Sequence, residues 1–242
     1  MMRPSAEHPS VPEPILSVII PTLNEEESLG RLLADLRGLT VHHEVIVADG
    51  GSSDATRAVA AEAGAMVLTC ERGRGTQLGE GARAASGTVF CFLHADVQLD
   101  PRAVRLISDT AKTIDGAAYT FNLKIDSKRL AFRIIEIGSN ARTRWLRLPF
   151  GDQGLVIRRG DYDRAGGYPP IPLMEDVELA RALRRIVPIE TLPSAISVSP
   201  RRWERDGAIS RTFRNSVLLF RYLLGADPKV LADSYRAERP GP

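Results

Sequence analysis

The first regular pattern along the chain is Leu16–Ile20, an uninterrupted apolar run ended by Pro21, which predicts a strand buried on both faces. Leu29, Leu32, Leu33 and Leu36 then recur at helical spacing and predict an amphipathic helix. Asn24, with Glu27 three residues on, reads as a capping box at its start. Glu44–Ala48 predicts a second strand, closed by Asp49-Gly50-Gly51, and Asp54–Ala63 a helix stopped by Gly64. Met66–Thr69 predicts a third strand, and residues 76–85 a helix after a loop of glycine and arginine. Thr88–Leu93 predicts a fourth strand that runs straight into His94-Ala95-Asp96. Strands alternating with helices imply parallel pairing through right-handed crossovers, and hence an α/β, doubly wound, Rossmann-like sheet.

The pattern is less regular afterwards. It predicts a strand over Tyr119–Ile125, a long helix over Lys128–Leu148, a strand over Leu155–Arg158 and a helix over Glu175–Ile186. Ile209–Leu224 predicts a basic amphipathic helix. Residues 15–205 are expected to form one domain, and residues 206–242 a helical C-terminal extension of it. Residues 1–14 carry four prolines and no apolar core, which predicts a disordered leader rather than a signal peptide. No apolar run has the length of a membrane span, so the expected location is cytoplasmic.

Charge refines this picture. A formal net charge of +2 over 242 residues gives no ground for nucleic-acid binding. The charge is unevenly spread, with seven Lys or Arg against two acids between Lys124 and Arg147, and nine against five from Arg201 onward. Such a surface suits an anionic acceptor or a membrane, and a solvated helix face explains it equally. Two cysteines, Cys70 and Cys91, form no framework and read as reduced, buried thiols.

Ligands of doubly wound sheets bind beyond the carboxyl ends of the strands, and the polar clusters of this chain fall there. The first turn, Pro21–Glu25, has no glycine, which disfavours a dinucleotide or P-loop phosphate site. Thr22 and Glu25 suit the donor edges of a base or ribose, although helix capping also explains this turn. Asp49 ends a strand before a Gly-Gly turn that admits a flat ligand, and Asp54 reads as structural. Asp96 stands where a carboxylate holds Mn²⁺ or Mg²⁺ on a diphosphate, and alternation puts His94 on the same side. Glu175 and Asp176 open a helix, and Asp176 is the candidate general base. Gly151, Asp152 and Gln153 are candidates for an acceptor or diphosphate wall, and Arg74 for a contact to base or diphosphate.

Taken in order, S-V-I-I-P-T-L-N-E-E (17–26), V-A-D-G-G-S-S-D-A-T (47–56), F-L-H-A-D (92–96), G-D-Q-G (151–154), M-E-D-V-E-L (174–179) and R-R-W (201–203) resemble glycosyltransferase family 2. The likeness is strongest to a compact bacterial subgroup associated with arsenosugar or selenium-related loci. The resemblance implies a GT-A fold, a nucleotide-sugar donor that is often UDP-linked, a divalent metal and inversion at the anomeric carbon. It puts Thr22, Glu25 and Asp49 at the nucleoside, Asp96 at the metal end of the D-x-D motif and Asp176 at the base. Arg202 and Trp203 match a segment near the diphosphate or acceptor. Two departures stand out: His94, the nucleotide-binding candidate at this position, replaces the first D-x-D carboxylate, and S-P-R-R-W replaces Q-x-x-R-W.

Other functions fit less well. A sugar nucleotidyltransferase requires a glycine-rich first loop, and a metal-dependent phosphohydrolase needs more ligands than His94-Ala95-Asp96 supplies. A non-catalytic nucleotide-sugar sensor would have no use for Asp49, Asp96 and Asp176 together. The helix over 209–224 leaves three outcomes open: contact with the core, with a second subunit in a homodimer, or with the inner face of a membrane.

Overall fold

A computed structural model describes residues 15–237, apart from the side chains at 202, 205, 206, 208, 209, 236 and 237. The leader expected over 1–14 and residues 238–242 lie outside the described residues.

Strand β1 (Leu16–Thr22) is buried along its whole length. Its neighbours are β2 (His43–Asp49), β3 (Met66–Thr69) and β4 (Val89–Phe92), and the order β3-β2-β1-β4 is parallel throughout. Alternate residues of these strands feed opposite cores. Val18, Ile20, Val47 and Cys91 pack with the leucines of α1 (Glu26–Leu36), together with Ala60 of α2 (Thr56–Glu62). Ile19, Ile46, Phe90 and Phe92 pack with Leu78 and Ala82 of α3 (Arg74–Ala84). Side chains two apart share a face, so one apolar run serves both layers. Each fully buried Leu or Ile contributes about 1.5–3 kcal/mol, and Leu32→Ala would cost about 2–5 kcal/mol.

The sheet continues in mixed sense. After the short β5 (Val97–Gln98), α4 (Pro101–Thr113) covers the first face, starting from Asp100, whose side chain accepts from the Ala103 amide at 2.7 Å. Strand β6 (Ala118–Ile125) leads into α5 (Leu130–Ala141), then a π-helical turn over Arg142–Leu146 and a 3₁₀ turn over Gly151–Gln153. Strand β7 (Leu155–Arg158) runs antiparallel to both β4 and β6. Helices α6 (Arg159–Arg164) and α7 (Glu175–Leu183) precede β8 (Ile189–Val198), and the sheet order is β3-β2-β1-β4-β7-β6-β8-β5. The chain closes with α8 (Arg201–Asp206), α9 (Ala208–Leu223) and α10 (Pro228–Ala237). No helix among the described residues is long and apolar enough to cross a membrane.

Several details differ from the sequence expectations. The helix expected over 128–148 ends at Ala141 and passes into the π turn, after which Arg147 takes a left-handed backbone (φ 52°). Asn24 is not the cap of α1. It lies in the left-handed region (φ 56°), and its side-chain oxygen accepts from the Ser53 amide at 2.8 Å. It therefore joins two loops instead of closing a helix. Cys70 and Cys91 are free and buried as expected, and burial pushes both thiols up to about 12.

Candidate active site

The carboxyl ends of β1, β2 and β4, the start of α3, the start of α7 and the 3₁₀ turn meet in one place. Three non-glycine residues among those described adopt left-handed backbones, and each borders a loop of this region: Asn24 after β1, Arg147 ahead of residues 149–154, and Met174 (φ 67°) directly before Glu175. Such conformations cost on the order of 1–3 kcal/mol and gather where geometry is over-determined.

On the β1–β2 side, Asp49 is wholly buried. Its carboxylate accepts from Thr22 Oγ1 at 3.1 Å, from the amides of Gly51 and Ser52 at 3.1 and 2.9 Å, and from the Ser52 hydroxyl. Burial raises its pKa, but these donors outweigh burial and hold it below the usual carboxylate range. Asp49 thus first shapes the Gly50–Ser52 turn. Glu25, in the loop after β1, is half-buried, and its amide donates to Thr56 Oγ1 at 2.8 Å. Asp54 is structural, accepting from the Thr56 amide at 3.0 Å. Gln77 is buried, and its amide nitrogen donates to the carbonyls of Thr22 and Ala48 at 2.8 and 2.7 Å. It thereby pins the start of α3 to both strand ends, and its spacing after the Gly/Arg loop was its only trace in the sequence.

The α3 start also reaches α7. Arg74 Nε lies 2.7 Å from Glu175 Oε1 in a pair whose arginine side chain is 41% exposed and whose glutamate is 2% exposed. Glu175 raises the Arg74 pKa, while burial raises that of Glu175 against the pull of Arg74. The second Glu175 oxygen is buried with no hydrogen-bond partner among the described residues. A Cβ at Gly75 would collide with the Pro169 carbonyl, so this junction requires glycine.

The acidic centre lies next to it. Asp176 Oδ2 accepts from the Gly151 amide at 2.8 Å, and Oδ1 from the Val177 amide at 2.8 Å, which fixes the carboxylate in one orientation. The His94 ring packs across Gly151 so closely that a Cβ there has no room. Asp152 is half-buried, and its Oδ1 is enclosed without a hydrogen-bond partner among the described residues. Burial pushes its carboxyl up to about 6, with Asp176 and Asp96 adding to the rise and Arg142 and Arg74 opposing it. Asp96 is half-buried in the turn between β4 and β5, which the Val97 amide closes by donating to the His94 carbonyl at 3.3 Å. A small apolar cleft lies beside His94, Gly151 and Asp176, walled by Phe92, Phe150 and Tyr168.

The glycosyl transferase family 2 profile matches residues 17–169, well over half of the chain. The chain belongs to that family. An uncharacterised glycosyltransferase of Mycobacterium bovis is 29% identical over 223 residues, covering 84% of this chain and 93% of the relative. An undecaprenyl-phosphate 4-deoxy-4-formamido-L-arabinose transferase of Pseudomonas fluorescens is 32% identical over 164 residues, covering 61% of this chain and 47% of the relative. Among solved structures, glucosyl-3-phosphoglycerate synthase from Mycobacterium tuberculosis, in complex with Mn²⁺, UDP and glucosyl-3-phosphoglycerate, superposes with a TM-score of 0.57 at 22% identity. That superposition covers 82% of this chain and 76% of the synthase, and it shows the GT-A fold expected from the sequence.

Against this family background, two expected positions read differently in the structure. Gln153 does not line a wall. It is wholly buried, accepts from Thr143 at 2.7 Å and from Arg142 at 3.1 Å, and donates to the Phe121 carbonyl at 3.1 Å. Trp203 stacks edge-on against Phe132 at 6.4 Å, with the Arg211 guanidinium 5.6 Å from its ring, so its described contacts bind α8 to α5 and α9. The Arg202 side chain lies outside the described part. Arg142, absent from the sequence candidates, lies 3.4 Å over the Phe150 ring and donates to the Leu148 carbonyl at 2.9 Å. Nothing in its basic surroundings in the sequence distinguished it.

The donor set fits a hard divalent cation. No three His, Cys, Asp or Glu residues converge on one point among the described residues. Mn²⁺ and Mg²⁺ are commonly held by one or two carboxylates, with phosphate and water completing the shell. Asp96, with the unpartnered Asp152 oxygen in its electrostatic reach, matches that requirement.

Proposed function

We propose that this enzyme transfers a sugar from a nucleotide diphosphate donor, preferentially UDP-linked, to an anionic or lipid-linked acceptor at the cytoplasmic face, with metal dependence and inversion. The observation that carries the proposal is the fixed Asp176 carboxylate beside the cluster of Asp96, Asp152 and Arg74. The subgroup linked to arsenosugar or selenium-related loci is part of the same reading and rests on the motifs alone.

Thr22, Glu25 and the turn shaped by Asp49 would receive the nucleoside. Arg74 would face the diphosphate, and Asp96, assisted by Asp152, would hold Mn²⁺ or Mg²⁺. Bound there, the cation neutralises charge that develops on the departing nucleoside diphosphate. Asp176 accepts the proton of the acceptor hydroxyl as that oxygen attacks the anomeric carbon. The new C–O bond forms on the face opposite the breaking bond to the diphosphate, which inverts the configuration. General-base assistance of this kind is worth about 10²–10⁴-fold. His94 and Gly151 position Asp176 through the Gly151 amide.

A thermal-shift series with UDP, GDP, UDP-sugars and GDP-mannose, each with and without Mn²⁺, tests the donor site. A ligand that binds only the folded state raises Tm by mass action. A metal-dependent rise with uridine nucleotides is expected. A folded sample that responds to none of them refutes the proposal.

A further inference from the structure

We propose that α5, its π turn and α9 form a docking platform for an anionic membrane surface. This goes beyond the transfer reading and does not depend on it.

Helix α5 turns Leu130, Ile134 and Ile137 to solvent at 80%, 71% and 69% exposure, a spacing of i, i+4 and i+7. Trp145 on the following π turn is 78% exposed. Helix α9, which packs against α5, buries Leu218 and Tyr222 in the core and exposes Phe213, Val217, Phe220 and Leu224. These positions follow the same helical rule on the opposite side of α9. Most of the exposed large hydrophobics among the described residues therefore fall in two adjacent stretches, 130–146 and 213–230. Scattered single apolar residues are ordinary on a surface, whereas contiguous helical faces mark an interaction site.

The surrounding charge selects the occupant. Lys124, Lys128, Arg129, Arg144 and Arg147 are exposed around α5, against one exposed acid, Asp126. Residues 208–226 contain no acid at all. A two-fold contact with a second copy would press like-charged rims together. Anionic headgroups satisfy the same rims, with apolar side chains at acyl depth and Trp145 at the boundary. The platform also adjoins the acceptor side of the site. Arg142, in the same π turn as Trp145, stacks on Phe150, next to the glycine whose amide holds Asp176.

The test uses the full chain and sucrose-loaded vesicles, either phosphatidylcholine alone or phosphatidylcholine and phosphatidylglycerol in equal parts. Co-sedimentation with the anionic vesicles is expected, weakened by salt and about tenfold or more by the pair Trp145→Ser and Phe220→Ser. As a second readout, Trp203→Phe leaves Trp145 as the single indole, and its emission should shift to the blue and be quenched by brominated lipid. A folded chain that neither sediments with the anionic vesicles nor shifts its emission overturns the proposal. So does a dimer that the same pair of substitutions converts to monomer, which would assign the platform to a second copy. Neither measurement uses a donor or turnover, so vesicle binding can fail while the transfer activity stands, and the reverse.

Discussion

Asp152 and Glu175 each keep a buried oxygen without a hydrogen-bond partner among the described residues, an arrangement that folding alone disfavours. For Asp152 the consequence is a sign that can be tested. Its carboxyl holds a proton up to about pH 6, so from roughly pH 4 to 6 the folded state binds more protons than the unfolded state. Stability contributed by this group is present at low pH and lost as pH rises through that window. Asp152→Asn removes the charge that burial penalises. Without nucleotide or metal, the variant is expected to be more stable than the parent by about 1–3 kcal/mol near pH 7.5, and equal to it near pH 4. Melting curves across that range decide this, and an Asn variant that is less stable at neutral pH contradicts it. Arg74 and Glu175 call for a paired test. Arg74→Ala leaves a buried carboxylate without its cation, and solvent at the arginine limits the loss to about 1–3 kcal/mol. Adding Glu175→Gln to Arg74→Ala should recover much of it in denaturant unfolding, and strict additivity would rule out the coupling.

At the scale of elements, glycines set the junctions. Gly75→Ala drives a methyl group into the Pro169 carbonyl and towards Glu175, separating α3 from the start of α7. A loss of about 1–3 kcal/mol is expected, together with reduced turnover. Gly151→Ala displaces the His94 ring and the amide that holds Asp176, so turnover should fall more than stability. Parallel melting and rate measurements on both variants separate these outcomes, and a Gly151→Ala enzyme with parental turnover would remove His94 and Gly151 from the positioning role. The N-terminal half was legible in the sequence because its strands are short apolar runs, β1 and β4 buried along their whole length and β2 over Ile46–Asp49, with β3 the more exposed edge. Two later elements hid for physical reasons. Strand β8 carries Pro193 within a bulge, where one residue of β6, Phe121, faces three of β8, Leu192, Pro193 and Ser194, and no ladder amide is needed. The break after Ala141 left no mark in a continuous basic pattern. By contrast, α4 carries clear start signals in Asp100 at its cap and Pro101 in its first turn.

On the scale of the whole molecule, the sheet brings segments from residues 22, 49, 74, 96, 151 and 176 to one end. Their motif order was visible in the sequence, but the inward turn of Gln153, the Phe132 contact of Trp203 and the entry of Arg142 exist only after folding. The central claim is that Asp176 is the base of a metal-assisted sugar transfer. The most direct measurement is release of nucleoside diphosphate from the donor selected by thermal shift, with Mn²⁺ and with chelator, for the parent and for Asp176→Asn. The parent is expected to release product only with metal, and Asp176→Asn to fall by about 10²–10⁴-fold while its donor-induced Tm shift persists. Parental turnover in Asp176→Asn, or turnover indifferent to chelator, would contradict the claim.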